Sequence, residues 1–167
     1  SYWVVPILKG KKGEASERVA AISRSTLEKP PYVSIPLQEG VVPSRRRLGI
    51  GDLNGDGQFD FALIQPDISK DPGFRPDSSQ VTYKIEAYLH DGTFLWRKDL
   101  GDGIEPGVWY SPFIVYDFDG DGKAEIAVKT APTGIRDADG CVYEGEEWIS
   151  IWDGMTGKEI TKADWPE

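Results

Sequence analysis

One acidic, glycine-rich loop is written twice in this chain of 167 residues, and this repeat constrains the fold more than any other feature. The first copy begins at Asp52 and reads DLNGDGQFDFAL, and the second begins at Asp117 and reads DFDGDGKAEIAV. Short apolar runs with alternating polar residues flank both copies, which is typical of β-strands rather than helices. The pattern therefore predicts that each copy forms the turn of a β-hairpin.

Both loops place their polar side chains at alternate positions. Position 6 is glycine in each copy, Gly57 and Gly122, and glycine permits a sharp turn at that point. Because Ca²⁺ takes roughly six to eight oxygen ligands in a flexible shell, the spacing predicts one calcium ion in each loop. Position 7 is expected to donate its backbone carbonyl, so it tolerates any side chain. Positions 1, 3, 5, 7 and 9 are Asp52, Asn54, Asp56, Gln58 and Asp60 in the first copy, and Asp117, Asp119, Asp121, Lys123 and Glu125 in the second.

The residue pattern fits two other kinds of metal site less well. An EF-hand requires Glu at position 12 and a helix on each side, whereas position 12 is Leu63 or Val128 here. Mg²⁺ suits the loops less well because it prefers octahedral sites that retain several waters. Two alternatives stay open: an Asp-Gly turn without metal, and an ion whose role is purely structural.

A second hairpin signature follows each acidic loop. Residues 83–101 and 147–165 both contain an alternating strand, an Asp-Gly turn and another strand. This makes four strands in each of two repeats, which start near residues 48 and 113 and have the spacing of propeller blades. We therefore predict an all-β fold, with N-terminal lead-in strands in residues 1–40 and about two blades of a β-propeller in residues 41–167. The remaining blades are expected on the same gene product or on other chains, because two blades leave apolar faces uncovered.

The charge of the chain excludes some partners. The formal net charge is −9, and the basic cluster Arg45–Arg47 is short, so nucleic acid is not expected to bind. The two loops contain seven carboxylates, and two divalent cations would bring the net charge to −5. No apolar run approaches the roughly 18 residues of a transmembrane helix, so no membrane span is predicted.

Five ordered segments carry a resemblance to a known family. They are YVSIPLQ, GIGDLNGDGQFDFAL, IEAYLHDGTFLWRKDLG, YSPFIVYDFDGDGKAEIAVKTA and EWISIWDGMTGKEI. In this order the chain resembles the rhamnogalacturonan lyases of polysaccharide lyase family 11. The resemblance implies an eight-bladed, calcium-binding β-propeller and a bacterial protein that is secreted, periplasmic or on the cell surface. It also implies calcium-dependent cleavage of rhamnogalacturonan, or of a related acidic polysaccharide, by β-elimination.

Such an elimination needs a base and a positive charge beside the uronate carboxylate. Tyr110 and Lys129 lie at the two ends of the second acidic hairpin, where the clefts of the family form, and are candidates for substrate binding. Trp109 could stack on a sugar ring, although packing is the alternative role for both aromatic residues. His90 stands in a hairpin turn, where an exposed structural role is expected. The catalytic base is left unassigned.

The sequence also departs from the family pattern near the expected cleft. For this reason a second function stays open: a non-catalytic calcium-binding propeller module that binds glycan or protein. The departures are at Arg46–Arg47, Ile64–Asp67, Trp109–Ser111 and Pro132–Thr133.

Overall fold

A computed structural model describes residues 2–19, 32–38, 47–65, 82–105, 112–138 and 140–166. All regular elements in these ranges are β-strands, so the prediction of an all-β fold is confirmed for the part that is described. No helix with the length and apolarity needed to cross a membrane occurs in these ranges. The chain divides into two compact units, Ser1–Val33 and Ser34–Glu167.

The first unit is built around a small two-stranded ribbon. Strands β1 (Ile7–Leu8) and β2 (Lys11–Lys12) pair antiparallel. The turn between them has positive φ at both central residues, 50° at Lys9 and 77° at Gly10, as a tight hairpin requires. Residues 3–6 belong to no strand, and Pro6 has no N–H to donate to a ladder.

The second unit contains two sheets of four antiparallel strands, as the repeat predicted. The first sheet has the order β3-β4-β5-β6, in which each strand pairs with the next along the chain. The acidic loop from Asp52 joins β3 to β4, so the hairpin prediction is confirmed. The strands are β3 (Leu48–Gly51), β4 (Asp60–Gln65), β5 (Lys84–Tyr88) and β6 (Phe94–Asp99).

The second sheet repeats this arrangement. Its order is β12-β11-β8-β7, and the acidic loop from Asp117 joins β7 to β8. Between β8 and β11, strands β9 and β10 form a short antiparallel ribbon. The strands are β7 (Phe113–Tyr116), β8 (Glu125–Thr130), β9 (Ile135–Arg136), β10 (Val142–Glu144), β11 (Trp148–Asp153) and β12 (Glu159–Asp164).

The two sheets pack against each other through one apolar cluster. Ile64 and Ile85 from the first sheet meet Ile126, Val128 and Trp152 from the second, and all five side chains are buried. Strands β3 and β7 approach each other closely because β3 carries glycines where they meet. A Cβ atom on Gly49 would lie 2.4 Å from Val115 Cγ2. Side-chain burial in this cluster supplies the main attraction between the sheets.

The turn between β11 and β12 also packs closely against neighbouring residues. Gly154 accepts a hydrogen bond from Trp96 Nε1 at 2.9 Å. A Cβ atom on Gly154 would lie 2.1 Å from the backbone oxygen of Ala124 and 2.7 Å from Leu53 Cδ2. No side chain can be added here without moving backbone.

We expect Gly154→Ala to lower the free energy of unfolding by about 2–3 kcal/mol, because the new methyl group displaces packed backbone. The control is Gly101→Ala, where a Cβ atom meets nothing closer than 3.9 Å and only the positive φ of 76° is strained. That strain is expected to cost about 1 kcal/mol. Urea denaturation of both variants measures the difference, and equal losses would contradict this account of Gly154.

A buried carboxylate network lies on the first sheet. Glu86 is fully buried in β5, and its Oε2 accepts hydrogen bonds from Gln65 Nε2 at 2.9 Å and from Tyr88 Oη at 2.7 Å. Its Oε1 accepts from Arg97, which also forms a salt bridge with it. Burial and the hydrogen bond to Glu86 raise the pKa of Tyr88 to about 12, so this phenol stays a neutral donor.

Candidate functional site

The two acidic loops share five internal hydrogen bonds from backbone N–H groups to side-chain oxygens. In each loop, the side chain at position 1 accepts hydrogen bonds from the backbone N–H groups of positions 4 and 6. The side chain at position 3 accepts from the N–H of position 5, the side chain at position 5 from the N–H of position 7, and the side chain at position 9 from the N–H of position 2. Positions 4 and 6 are glycines with φ between 80° and 90°. The glycine at position 4 is therefore as necessary as the one at position 6, which the sequence analysis had singled out. This shared hydrogen-bond pattern holds the polar side chains of both loops in equivalent places.

The second loop brings three carboxylates together. One oxygen each from Asp117, Asp119 and Glu125 lie within 4.8 Å of one another, and this is the only such group of three among the described residues. Burial and the nearby charges of Asp119, Asp117 and Asp121 raise the pKa of Glu125, while its hydrogen bond from Phe118 acts in the opposite direction. A set of oxygen ligands this close is of the kind that Ca²⁺ prefers.

The first loop differs at position 3. Asn54 stands where the second loop has Asp119, and its amide nitrogen donates to Asp56 Oδ2 at 3.0 Å. Asp60 is fully buried, and its two oxygens accept from the backbone N–H groups of Leu53 and His90. Burial acts to raise the pKa of Asp52, but hydrogen bonds from the backbone of residues 54–57 outweigh it and lower that pKa. The first loop thus offers an amide and three carboxylates.

His90 is a neighbour of this loop that the sequence analysis did not connect with it. Its Nδ1 lies 3.8 Å from Asp60 Oδ1 and 3.9 Å from Asp56 Oδ2. The His90 side chain is 33% exposed, so its expected exposed structural role stays a prediction, but its Nδ1 is buried and has no hydrogen-bond partner among the described residues. The sequence places His90 in the turn between β5 and β6, but it does not show that this turn lies near the first acidic loop. The pairing of β4 with β5 brings the two together.

The two loops are neighbours in space. Ala124 N donates to Asp52 O at 2.6 Å, which joins the end of the second loop to the start of the first. The side chain of Lys123 lies against Gly55, since a Cβ atom there would be 3.2 Å from Lys123 Cγ. The side chain at position 7 of the second loop therefore packs beside the first loop, and its backbone carbonyl is the group left for a ligand role.

The predicted substrate-contacting residues have different outcomes. Trp109 and Tyr110 lie outside the described residues, so their roles stay predictions. Lys129 is described at the end of β8, where its ammonium group lies 2.6 Å from Glu147 Oε1 and 5.0 Å from the ring centre of Trp165. Arg136 in β9 donates to the backbone oxygens of Asp102, Gly101 and Ile104. Its guanidinium group thus fastens the loop after β6.

These features define a class of protein: an all-β chain in which two packed four-stranded sheets each begin with an acidic hairpin loop. Comparison with known proteins gives the family. Residues 27–167 match the model described as "Rhamnogalacturonan lyase family 11, C-terminal domain". The chain belongs to rhamnogalacturonan lyase family 11.

Curated relatives and solved structures agree with this assignment. The chain is 36% identical to the rhamnogalacturonan endolyase YesW and 34% identical to the rhamnogalacturonan exolyase YesX, both of Bacillus subtilis (strain 168). Each comparison covers 98% of this chain, but only 29% of YesW and 30% of YesX. A rhamnogalacturonan lyase structure from Bacillus licheniformis has a TM-score of 0.69 at 35% identity, over 98% of this chain and 31% of that one. The chain thus spans about a third of the length of these relatives.

Proposed function

We propose that this chain is part of a calcium-dependent polysaccharide lyase that cleaves rhamnogalacturonan, or a related acidic glycan, by β-elimination. The observation that carries the proposal is the family membership together with the duplicated acidic loops. Relatives that match nearly the whole chain are an endolyase and an exolyase of rhamnogalacturonan. One relative is named for cleavage within the polysaccharide and the other for cleavage at its end, so only an experiment decides between these two modes for this protein.

We propose one Ca²⁺ in each acidic loop. The shared hydrogen-bond pattern supports this proposal because it holds side-chain oxygens of positions 1, 3, 5 and 9 around the same turn in both copies. The cluster of Asp117, Asp119 and Glu125 supports it further, since three carboxylates within 4.8 Å repel one another unless a cation lies among them. The calcium ligands would be the side chains at these positions and the backbone carbonyls of Gln58 and Lys123. A bound ion supplies fixed positive charge, and in these turns its role would be to hold the hairpins.

The two packed sheets are proposed to be two adjacent blades of a larger propeller. The face of the second sheet turned away from the first supports this proposal. On it Ile114, Tyr116 and Ile149 are 60%, 63% and 38% exposed, and Ala127 and Ile151 pair between them. A further blade from the same gene product or from another chain would cover this apolar face. We also propose a location outside the cytoplasm, where calcium concentrations suit loops of modest affinity.

A spectroscopic assay tests the proposed activity. β-Elimination at a uronate creates a C=C bond conjugated with the carboxylate, so a lyase raises the absorbance near 235 nm. We expect this rise when the full-length protein acts on rhamnogalacturonan in calcium, a smaller rise on homogalacturonan, and a strong loss after chelation. A control treated with chelator and then refilled with calcium should recover.

The departures at Ile64–Asp67 and Pro132–Thr133 favour a second candidate, a non-catalytic calcium-binding module that binds glycan or protein. Binding of rhamnogalacturonan without any rise in absorbance would support that module and overturn the lyase.

A further inference from the structure

A continuous chain of hydrogen bonds joins the two acidic loops of the second unit. The N–H of Ala124, at position 8 of the second loop, donates at 2.6 Å to the carbonyl oxygen of Asp52, at position 1 of the first loop. The N–H of Leu53 then donates to Asp60 Oδ2 at 2.9 Å, and this second bond is buried. The chain thus ends on a carboxylate that is a proposed calcium ligand of the first loop.

The chain also begins at a proposed calcium ligand. The carbonyl of Lys123 and the N–H of Ala124 belong to one planar peptide group, and the carbonyl of Asp52 shares the next one with the N–H of Leu53. A peptide whose oxygen contacts a cation has a more polarised N–H, and hydrogen bonds in a chain polarise one another. Two peptide groups therefore connect the ligand at position 7 of the second loop with the ligand at position 9 of the first.

The junction between the loops is packed on every side. Ala124 is 3% exposed and Leu53 is 1% exposed. A Cβ atom on Gly51 would lie 2.8 Å from Ala124 Cβ, and one on Gly154 would meet the backbone oxygen of Ala124. Close-packed backbone has little room to shift. Fixing the carbonyl that precedes Ala124 therefore also fixes the carbonyl of the first loop that accepts from its N–H.

We propose that the two acidic loops bind Ca²⁺ cooperatively, and that the peptide between Lys123 and Ala124 is the positioning group that links them. This rests on the proposed function, because it requires an ion in each loop. The first ion orders the shared junction, so the second ion meets ligands that are already ordered. Repulsion between the two ions acts in the opposite direction, but salt screens charges in exposed loops over about 8–10 Å. Ordering is therefore the larger effect at physiological ionic strength.

Fluorine NMR of the full-length protein tests the coupling, because a single label reports one loop however many calcium sites the protein contains. The label is 4-trifluoromethylphenylalanine in place of Phe59, which lies between two proposed ligands and is 69% exposed. Calcium is titrated into the labelled protein and into the same protein with Asp117→Asn and Glu125→Gln. We expect the first loop to bind Ca²⁺ about fivefold more weakly in this double variant, which is the low end of allosteric couplings.

The reverse measurement separates coupling from damage to the fold. The label is moved to the position of Phe118 in the second loop, which is 47% exposed. The first loop is disabled by Asp52→Asn together with Asp56→Asn. Coupling between two binding sites is reciprocal, so the affinity of the second loop should fall by the same factor. Structural damage by the substitutions has no reason to be equal in the two directions.

Two further backgrounds test the peptide as the route of coupling. Lys123→Ala removes the side chain that lies against Gly55 but keeps the peptide, so the factor of about five should persist. Lactic acid in place of Ala124, introduced at a second suppressed codon in cell-free synthesis, turns the peptide into an ester without an N–H. In that background the factor should fall below about two.

The outcomes distinguish this proposal from the calcium sites themselves. If each loop binds calcium but its affinity changes by less than about twofold when the other loop is disabled, or rises, the coupling is refuted and the two sites remain. An unchanged factor in the ester, or a lost one in Lys123→Ala, refutes the peptide as the link. If neither fluorine signal responds to calcium in the otherwise unmodified protein, the coupling and the calcium sites fail together.

Discussion

Removing calcium is expected to lower the melting temperature of this protein by roughly 10–20 °C. At a free calcium concentration a hundred times the dissociation constant, one bound ion adds about 2.7 kcal/mol to the free energy of unfolding, and two ions add about 5 kcal/mol. In a domain of this size, each kcal/mol corresponds to about 2–4 °C. Differential scanning calorimetry in chelator, and again after calcium is restored, measures the change.

Variants of the second loop locate the effect. In the double variant Asp117→Asn, Glu125→Gln, two of the three clustered carboxylates lose their charge, so the calcium-dependent rise in melting temperature should fall by about half. The matched control is Lys123→Ala, because position 7 is proposed to use only its backbone carbonyl. Its calcium response should be unchanged. A melting temperature that does not respond to calcium in the unmodified protein would remove the basis of the metal proposal.

The second large effect is expected from Glu86→Ala, which should lower the free energy of unfolding by about 3–5 kcal/mol. The substitution removes a fully buried carboxylate and leaves the buried donors of Gln65 and Tyr88 without their acceptor, while the more exposed Arg97 loses its ion pair with Glu86. Glu86→Gln keeps a neutral acceptor and should cost less, about 1–3 kcal/mol. Urea denaturation measures both losses.

The matched control is a surface ion pair made by Lys84, which lies on β5 as Glu86 does. Lys84 Nζ lies 3.2 Å from Asp99 Oδ2, and both side chains are at least one-third exposed. Lys84→Ala should therefore cost less than about 1 kcal/mol, because water already screens this pair. If Glu86→Ala costs no more than Lys84→Ala, the buried network does not stabilise the sheet.

The acidic loops are the part of the structure that the local sequence predicts best. Their glycines, their alternate oxygens and the apolar alternation around them predicted two hairpins, and both hairpins are present with the register Gly51–Asp60 and Tyr116–Glu125. The second hairpin of each repeat, with its Asp-Gly turn at 91–92 or 153–154, likewise follows from alternation and turn residues. These features depend on neighbours within about 20 residues, whose pairing the chain specifies by itself.

Glu86 marks the limit of that reasoning. The stretch KIEAY alternates as a half-exposed strand would, and a charged residue in such a strand is expected to face water. The structure buries Glu86 completely, because Gln65 and Arg97 from the adjacent strands and Tyr88 surround its carboxylate. The approach of His90 to the first loop depends in the same way on the pairing of β4 with β5.

The sequence by itself determined the four strands of each repeat, the two hairpin loops and the family, since each rests on residues close together along the chain or on their order. The tertiary structure alone decided which side chains are buried and which loops touch. The physical reason is that burial and electrostatic environment depend on surfaces brought together from distant parts of the chain, and packing against them outweighs the local preference of a single residue.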